Sequence, residues 1–228
     1  MLLLKIIDMI SQRREFMFAI NHAATALIIK KFFKDVPIIW ILISTQFMEL
    51  LWVLFNYMGV ERTTTEKDMK YVGDIHLSYM PFSHSLLTMA GMSVLSWFVI
   101  SKGFGESLIG LAVGIGILSH LVLDLITHSR DMAIAPFIKE RKLGLGLYAN
   151  FPVPAFILEI GYGTACWWIY GGSITLLAVI LLFNLANLPM FVASFPAAKQ
   201  KMTNRPLLIT GLVFVQIIVT LTLVGLLS

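Results

Sequence analysis

The sequence predicts an all-α, polytopic membrane bundle of about seven transmembrane helices, with the N-terminus inside and the C-terminus outside. Three observations carry that prediction. The chain is 58% hydrophobic and only 13% charged, whereas soluble domains carry about 25% charged residues. Its apolar residues fall into runs near the ~20 residues that a helix needs to cross a bilayer. Its basic residues are distributed with a strong side bias, which fixes orientation in membrane proteins.

Taken in order, residues 1–15 are apolar but broken by Lys5 and Asp8, with no small-residue cleavage site after them, and read as an interfacial helix. Seven apolar segments follow, at 16–33, 37–59, 82–101, 104–126, 153–170, 173–194 and 206–227. The first contains Asn21 and His22 and closes on Lys30 and Lys31, whereas the last has no charge from Pro206 to Ser228. The longest connections, 60–81 and 127–152, read as loops, and no soluble domain fits between the spans. The whole chain is one membrane domain, in which 16–130 holds the polar helices and 153–228 three scaffold helices.

With the N-terminus inside, all of the 17 basic residues except Lys30, Lys31, Lys34 and Lys102 fall on the inner side. Trp40, Trp97, Trp167, Trp168 and Tyr170 then sit near outer ends, where amphipathic rings prefer the headgroup level. The net charge of +4 is explained by this bias, and a nucleic-acid partner is not expected. Cys166 is the only cysteine, which excludes an intrachain disulfide and a multi-cysteine metal site. The sequence carries no sign of oligomeric state.

Ionisable groups inside a bilayer are costly without partners, so their positions are informative. His22, Glu49, His84, His120 with Asp124, and Glu159 lie on five different segments. In the inside-start topology all of them fall in the cytoplasmic half. His120 and Asp124 are four apart and share a helix face, and His128 follows four residues later. Imidazole and carboxylate are ligands for zinc, manganese and iron(II). All five histidines (22, 76, 84, 120 and 128) lie in the first 128 residues, so the site belongs to the first four helices. Other readings remain open at this stage. Glu49 pairs with a lysine or His22; Glu159 hydrogen-bonds Tyr162 or Asn187; His76 and His128 are solvated loop residues.

The segment Pro81-Phe82-Ser83-His84-Ser85-Leu86-Leu87 resembles the Arg-Gly-x-Thr-His-Ser-Leu pattern of the membrane-bound metal-dependent hydrolases, the YdjM-like inner-membrane proteins. Ser119-His120-Leu121-Val122-Leu123-Asp124-Leu125-Ile126-Thr127 is similar to that family's His-x-x-x-Asp-x-x-Thr segment, and Asn21-His22 resembles its N-terminal histidine. The resemblance spans residues 16–130. The family's Pro-Asp-x-Asp motif at the end of the second helix has no counterpart here, and Glu49, or Asp74 with His76, stands in its place.

The resemblance implies metal-assisted hydrolysis of a lipid-like ester or phosphoester in the inner membrane. The expected ligands of a divalent ion, zinc before manganese or iron, are His22, His84, His120 and Asp124. Glu49 is a fifth ligand or the general base, and Glu49 and Asp124 are the expected catalytic carboxylates. Asp74, His76, His128 and Glu159 are additional candidates. Lys139, Arg141 and Lys142 would attract an anionic headgroup. A proton- or metal-ion-coupled transporter and a metal-free interaction protein are the alternatives.

Overall fold

The computed structural model describes residues 19–67, 74–128, 130–138, 142–192 and 202–228. The expected interfacial segment 1–15, with Lys139 and Arg141, lies outside them. The described residues are mostly helical, and each of the seven expected segments holds a helix. These are α1 (Ala19–Phe32), α2 (Ile38–Tyr57), α3 (Leu86–Phe98), α4 (Ser107–Thr127), α6 (Pro152–Tyr170), α7 (Ile174–Ala186) and α8 (Pro206–Leu227), with a short α5 (Leu147–Asn150) ahead of α6. A π-helical turn, Val99–Gly103, extends α3, and a 3-10 turn, Leu188–Met190, follows α7.

Among the described residues, four stretches are long and apolar enough to cross a bilayer: Ile38–Tyr57, Leu86–Gly103, Ser107–Thr127 and Pro206–Leu227. The described part of α1 has 14 residues, and α7 has 13. Helix α6 has 19 residues; its glycines, Glu159 and Thr164 dilute its apolarity. Local signals set the boundaries. Ser85 and Ser173 cap α3 and α7 by accepting hydrogen bonds from Thr88 N and Leu176 N. Pro152 and Pro206 open α6 and α8, where a missing N–H costs nothing.

The two long connections are not plain loops, which corrects the sequence reading. In the first, β1 (Arg62–Thr65) pairs antiparallel with β2 (Ile75–Tyr79) as the two strands of a hairpin. The three threonines of β1 and the alternating Ile-His-Leu-Ser-Tyr of β2 suit a strand. In the second connection β3 (Met132–Ala133) pairs with β4 (Lys142–Leu143). That segment folds back onto the end of α4: Ala133 N donates to His84 O (3.2 Å), Leu87 N to Ile134 O (3.0 Å) and Gly146 N to His128 O (2.6 Å). Gly144 and Gly146 have φ of 138° and 71°, backbone that L side chains rarely adopt.

Helix α4 lies among α1, α2 and α3, while α1 also packs on α6, α7 and α8. Close approach depends on small residues, as is usual between membrane helices. A Cβ on Gly116 of α4 would come within 2.9 Å of Ser44 Cβ on α2. Leu87, Val94, Leu111, Leu118, Val122 and Ile126 face outward and are exposed, as lipid-facing side chains are.

Candidate metal centre

The buried face of α4 runs Gly116, Ile117, His120, Asp124, Thr127, the i, i+4 rhythm of one helical stripe. Helix α2 presents Thr45, Met48, Glu49 and Trp52 from its own buried stripe. His84 comes from the turn just before α3, and His22 from near the start of α1 as described. His128 caps the end of α4. His22, His84, His120, Asp124 and His128 are wholly buried and Glu49 is 2% exposed. The structure therefore brings together all five expected ligands and, of the additional candidates, His128.

Asp124 is the hub. Its Oδ1 lies 3.4 Å from His22 Nε2 and 3.9 Å from His128 Nε2; its Oδ2 lies 3.1 Å from His120 Nε2 and 3.5 Å from His84 Nε2. Glu49 Oε1 is 3.8 Å from His84 Nε2, so Glu49 pairs with His84 rather than with a lysine or His22. Ligands at 2.0–2.1 Å around a tetrahedral zinc sit about 3.3 Å from one another, which is the spacing seen here.

The outer partners determine which nitrogen carries each proton. His120 Nδ1 lies 2.9 Å from Thr45 O; a carbonyl only accepts, so Nδ1 carries the hydrogen. His128 Nδ1 lies 3.2 Å from Asp131 Oδ1 and donates for the same reason. Ser83 Oγ gives its single hydrogen to Glu61 Oε2 (2.5 Å) and must accept from His84 Nδ1 (2.8 Å). In the neutral rings, three Nε2 lone pairs therefore point at Asp124. Lone pairs facing a carboxylate repel until a cation lies between them. Both oxygens of Asp124, Nε2 of His120, both nitrogens of His22 and Oε2 of Glu49 have no hydrogen-bond partner, although buried polar atoms in native proteins almost always do. The donors form three groups whose ligand atoms lie within 4.8 Å of one another: His22–His120–Asp124, Glu49–His84–His120 and His84–Asp124–His128. Such groups can hold a metal ion.

Beyond the spanning helix, burial pulls the pKa of His128 down, but Asp131 and then Asp124 outweigh it and hold the ring above its ordinary value. Sequence reasoning missed Asp131 and Glu61, both 1% exposed. Glu61 also accepts from Phe82 N and Ser83 N, at 2.9 Å each, and so shapes the turn that presents His84. Outer partners of this kind orient metal-binding histidines. The available signals were a carboxylate three residues after His128 and an acid just beyond the second helix, near where the family's acidic motif is expected.

Other candidates lie elsewhere. His76 sits on β2 and pairs with Glu66 at 2.6 Å. Asp74 belongs to the hairpin, where its carbonyl accepts from Glu66 N at 2.8 Å. Glu159 bonds Asn21 and Tyr148, not Tyr162 or Asn187. Tyr162 instead meets Thr25 at 2.8 Å, and Asn187 caps Phe183 O on its own helix.

A family model described as YdjM inner membrane protein matches residues 75–195. The chain belongs to the YdjM inner membrane protein family. The matched stretch contains His84, His120, Asp124 and His128, so the YdjM signature covers the α4 hub, while His22, Glu49 and Glu61 lie outside it. No curated protein and no solved structure matches the chain significantly.

Beside the cluster is a cavity of about 270 Å³. Asp131 borders it together with Tyr79, Met80, Pro136 and Lys142. One side chain, Asp131, thus touches both this cavity and His128.

Proposed function

We propose that this YdjM family member is a metal-dependent hydrolase acting on an ester or phosphoester of a lipid-like molecule at the membrane surface. The observation that carries the reading is the convergence of imidazole lone pairs on a buried carboxylate that lacks any hydrogen-bond donor. His22, His84, His120, His128 and Asp124 would hold the ion. A bound divalent ion supplies a more acidic water and polarises a phosphoryl or acyl oxygen. Glu49 Oε2, without a hydrogen-bond partner, is the atom available to take a proton. The cavity beside Asp131 gives a headgroup-sized approach from the loop end of the bundle. Lys142 at its border supplies a positive charge for an anionic headgroup.

The accompanying topology has seven spans, the N-terminus inside and the site in the cytoplasmic half. Ser228→Cys should then react with an impermeant thiol reagent from outside intact cells. Labelling only after the cytoplasmic side is opened would overturn it.

Activity is tested on metal-loaded protein in mixed micelles of phospholipid, prenyl phosphate or a carboxyl-ester lipid. Product release that disappears on chelation and in Asp124→Ala is expected. Loaded protein that cleaves none of the three would overturn the hydrolase reading.

A further inference from the structure

The donor cluster holds more ligands than one ion uses. Four imidazoles and two carboxylates converge, whereas a hydrolytic zinc takes three protein ligands and keeps one position open. The way the donors divide is more telling than their number. Of the three groups within 4.8 Å, His22–His120–Asp124 and His84–Asp124–His128 have no histidine in common and share only Asp124. The remaining group, Glu49–His84–His120, takes one histidine from each. Ligands on opposite sides of a single ion lie only about 4.2 Å apart, at ~2.1 Å from the metal, so one ion draws its ligands from one compact set. These donors include two compact sets that have only Asp124 in common.

The ring arrangement follows the same division. His22 and His120 are stacked, with centroids 3.9 Å apart, and His84 lies 5.3 Å from His128. His84 and His120 belong to different sets, and their rings are 5.9 Å apart. Both oxygens of Asp124 are without a hydrogen-bond donor, and each faces one histidine of each set, Oδ1 near His22 and His128 and Oδ2 near His120 and His84. A single ion in either set would leave the other pair of imidazoles facing the carboxylate with nothing between them.

We propose that the cluster is a two-ion site in which Asp124 is shared between one divalent cation held with His22 and His120 and another held with His84 and His128, with Glu49 lying across both. This rests on the metal reading above and adds the number of ions and their shared ligand. Paired divalent ions are the arrangement that stabilises both the attacking and the leaving oxygen of a phosphoryl group, which favours a phosphoester substrate.

The test is reconstitution of the chelated, detergent-purified full chain with Mn(II), read by elemental analysis and electron paramagnetic resonance. Two manganese per chain with an exchange-coupled spectrum are expected. His128→Ala should hold a single manganese with the six-line spectrum of an isolated ion. Should His128→Ala not fold, substoichiometric loading of the wild type, followed to saturation, makes the same distinction. Saturation at one ion overturns the two-ion site and leaves a mononuclear hydrolase standing. Two uncoupled ions overturn the sharing of Asp124. No bound ion overturns both readings.

Discussion

Two buried polar regions lie close together in this bundle and are built on opposite rules. Around Glu159, one carboxylate oxygen accepts from Tyr148 Oη and the other from Asn21 Nδ2, while Asn21 also donates to Asn184 Oδ1. Around Asp124, neither oxygen has a donor and the neighbouring imidazoles present lone pairs. The Glu159 network ties α1, α6 and α7 together and is complete as it stands. The Asp124 cluster holds His84, His120 and His128 by their outer nitrogens, and neither nitrogen of His22 has a hydrogen-bond partner. A polar group in a membrane helix is thus structural when its partners are other side chains, and points to a guest when its partners are missing. Neighbouring residues of α1 divide between the two roles: Asn21 belongs to the first region and His22 to the second.

The largest expected disruption comes from Gly116→Leu. Its side chain would meet Ser44 and drive α4 from α2, breaking the His120–Thr45 hydrogen bond. Overpacking of this kind costs about 1–3 kcal/mol or more. Both metal content and monodispersity on size exclusion should fall. If this variant stays monodisperse and keeps its metal, the close contact does not position His120.

Glu159→Ala should separate the two regions. It removes the acceptor of two buried hydrogen bonds, at about 0.5–1.5 kcal/mol for each, so thermal unfolding in detergent should come earlier. Metal content should stay at the wild-type value, and its loss would mean that Glu159 belongs to the site. Glu61→Gln acts on the other region. It weakens the Ser83–His84 relay while keeping the side-chain shape, and a ten- to hundredfold loss of metal affinity is expected, as for other outer-partner changes. Competition with a chelator measures it, and unchanged affinity would remove Glu61 from the metal centre. The smallest effect is expected from His76→Ala on the hairpin. Stability should shift by no more than about 0.5 kcal/mol, as for surface changes, with metal content unaltered.

Much of this arrangement is legible in the sequence because a bilayer constrains so strongly. Long apolar runs become helices, and each of the seven expected segments contains one. His120 and Asp124 could be placed on one face from spacing alone, and the scarcity of polar groups made His22, Glu49 and His84 conspicuous. The partners of Glu159 could not be read in the same way. Tyr148 reaches Glu159 from the short helix α5, in a connection read as a loop, and Asn21 reaches it across a helix contact. Gly163 permits that contact, since a Cβ there would come within 2.7 Å of Asn21 Oδ1. Nothing in the local pattern of Tyr148 or Gly163 announces either approach. His128 is harder to place for a related reason: it lies past the helix end, and the backbone that returns beside it includes Gly146, whose N–H donates to His128 O. Strand signals in Arg62–Thr65 and Ile75–Tyr79 were present but overshadowed by the helical pattern around them.

The most direct test is elemental analysis of the protein as purified, with Asp124→Ala and Glu159→Gln prepared alongside. Stoichiometric zinc, manganese or iron in the wild type and in Glu159→Gln, and none in Asp124→Ala, is the predicted result. A wild-type protein that stays metal-free after reloading, or an Asp124→Ala protein that keeps its full complement, would contradict the account.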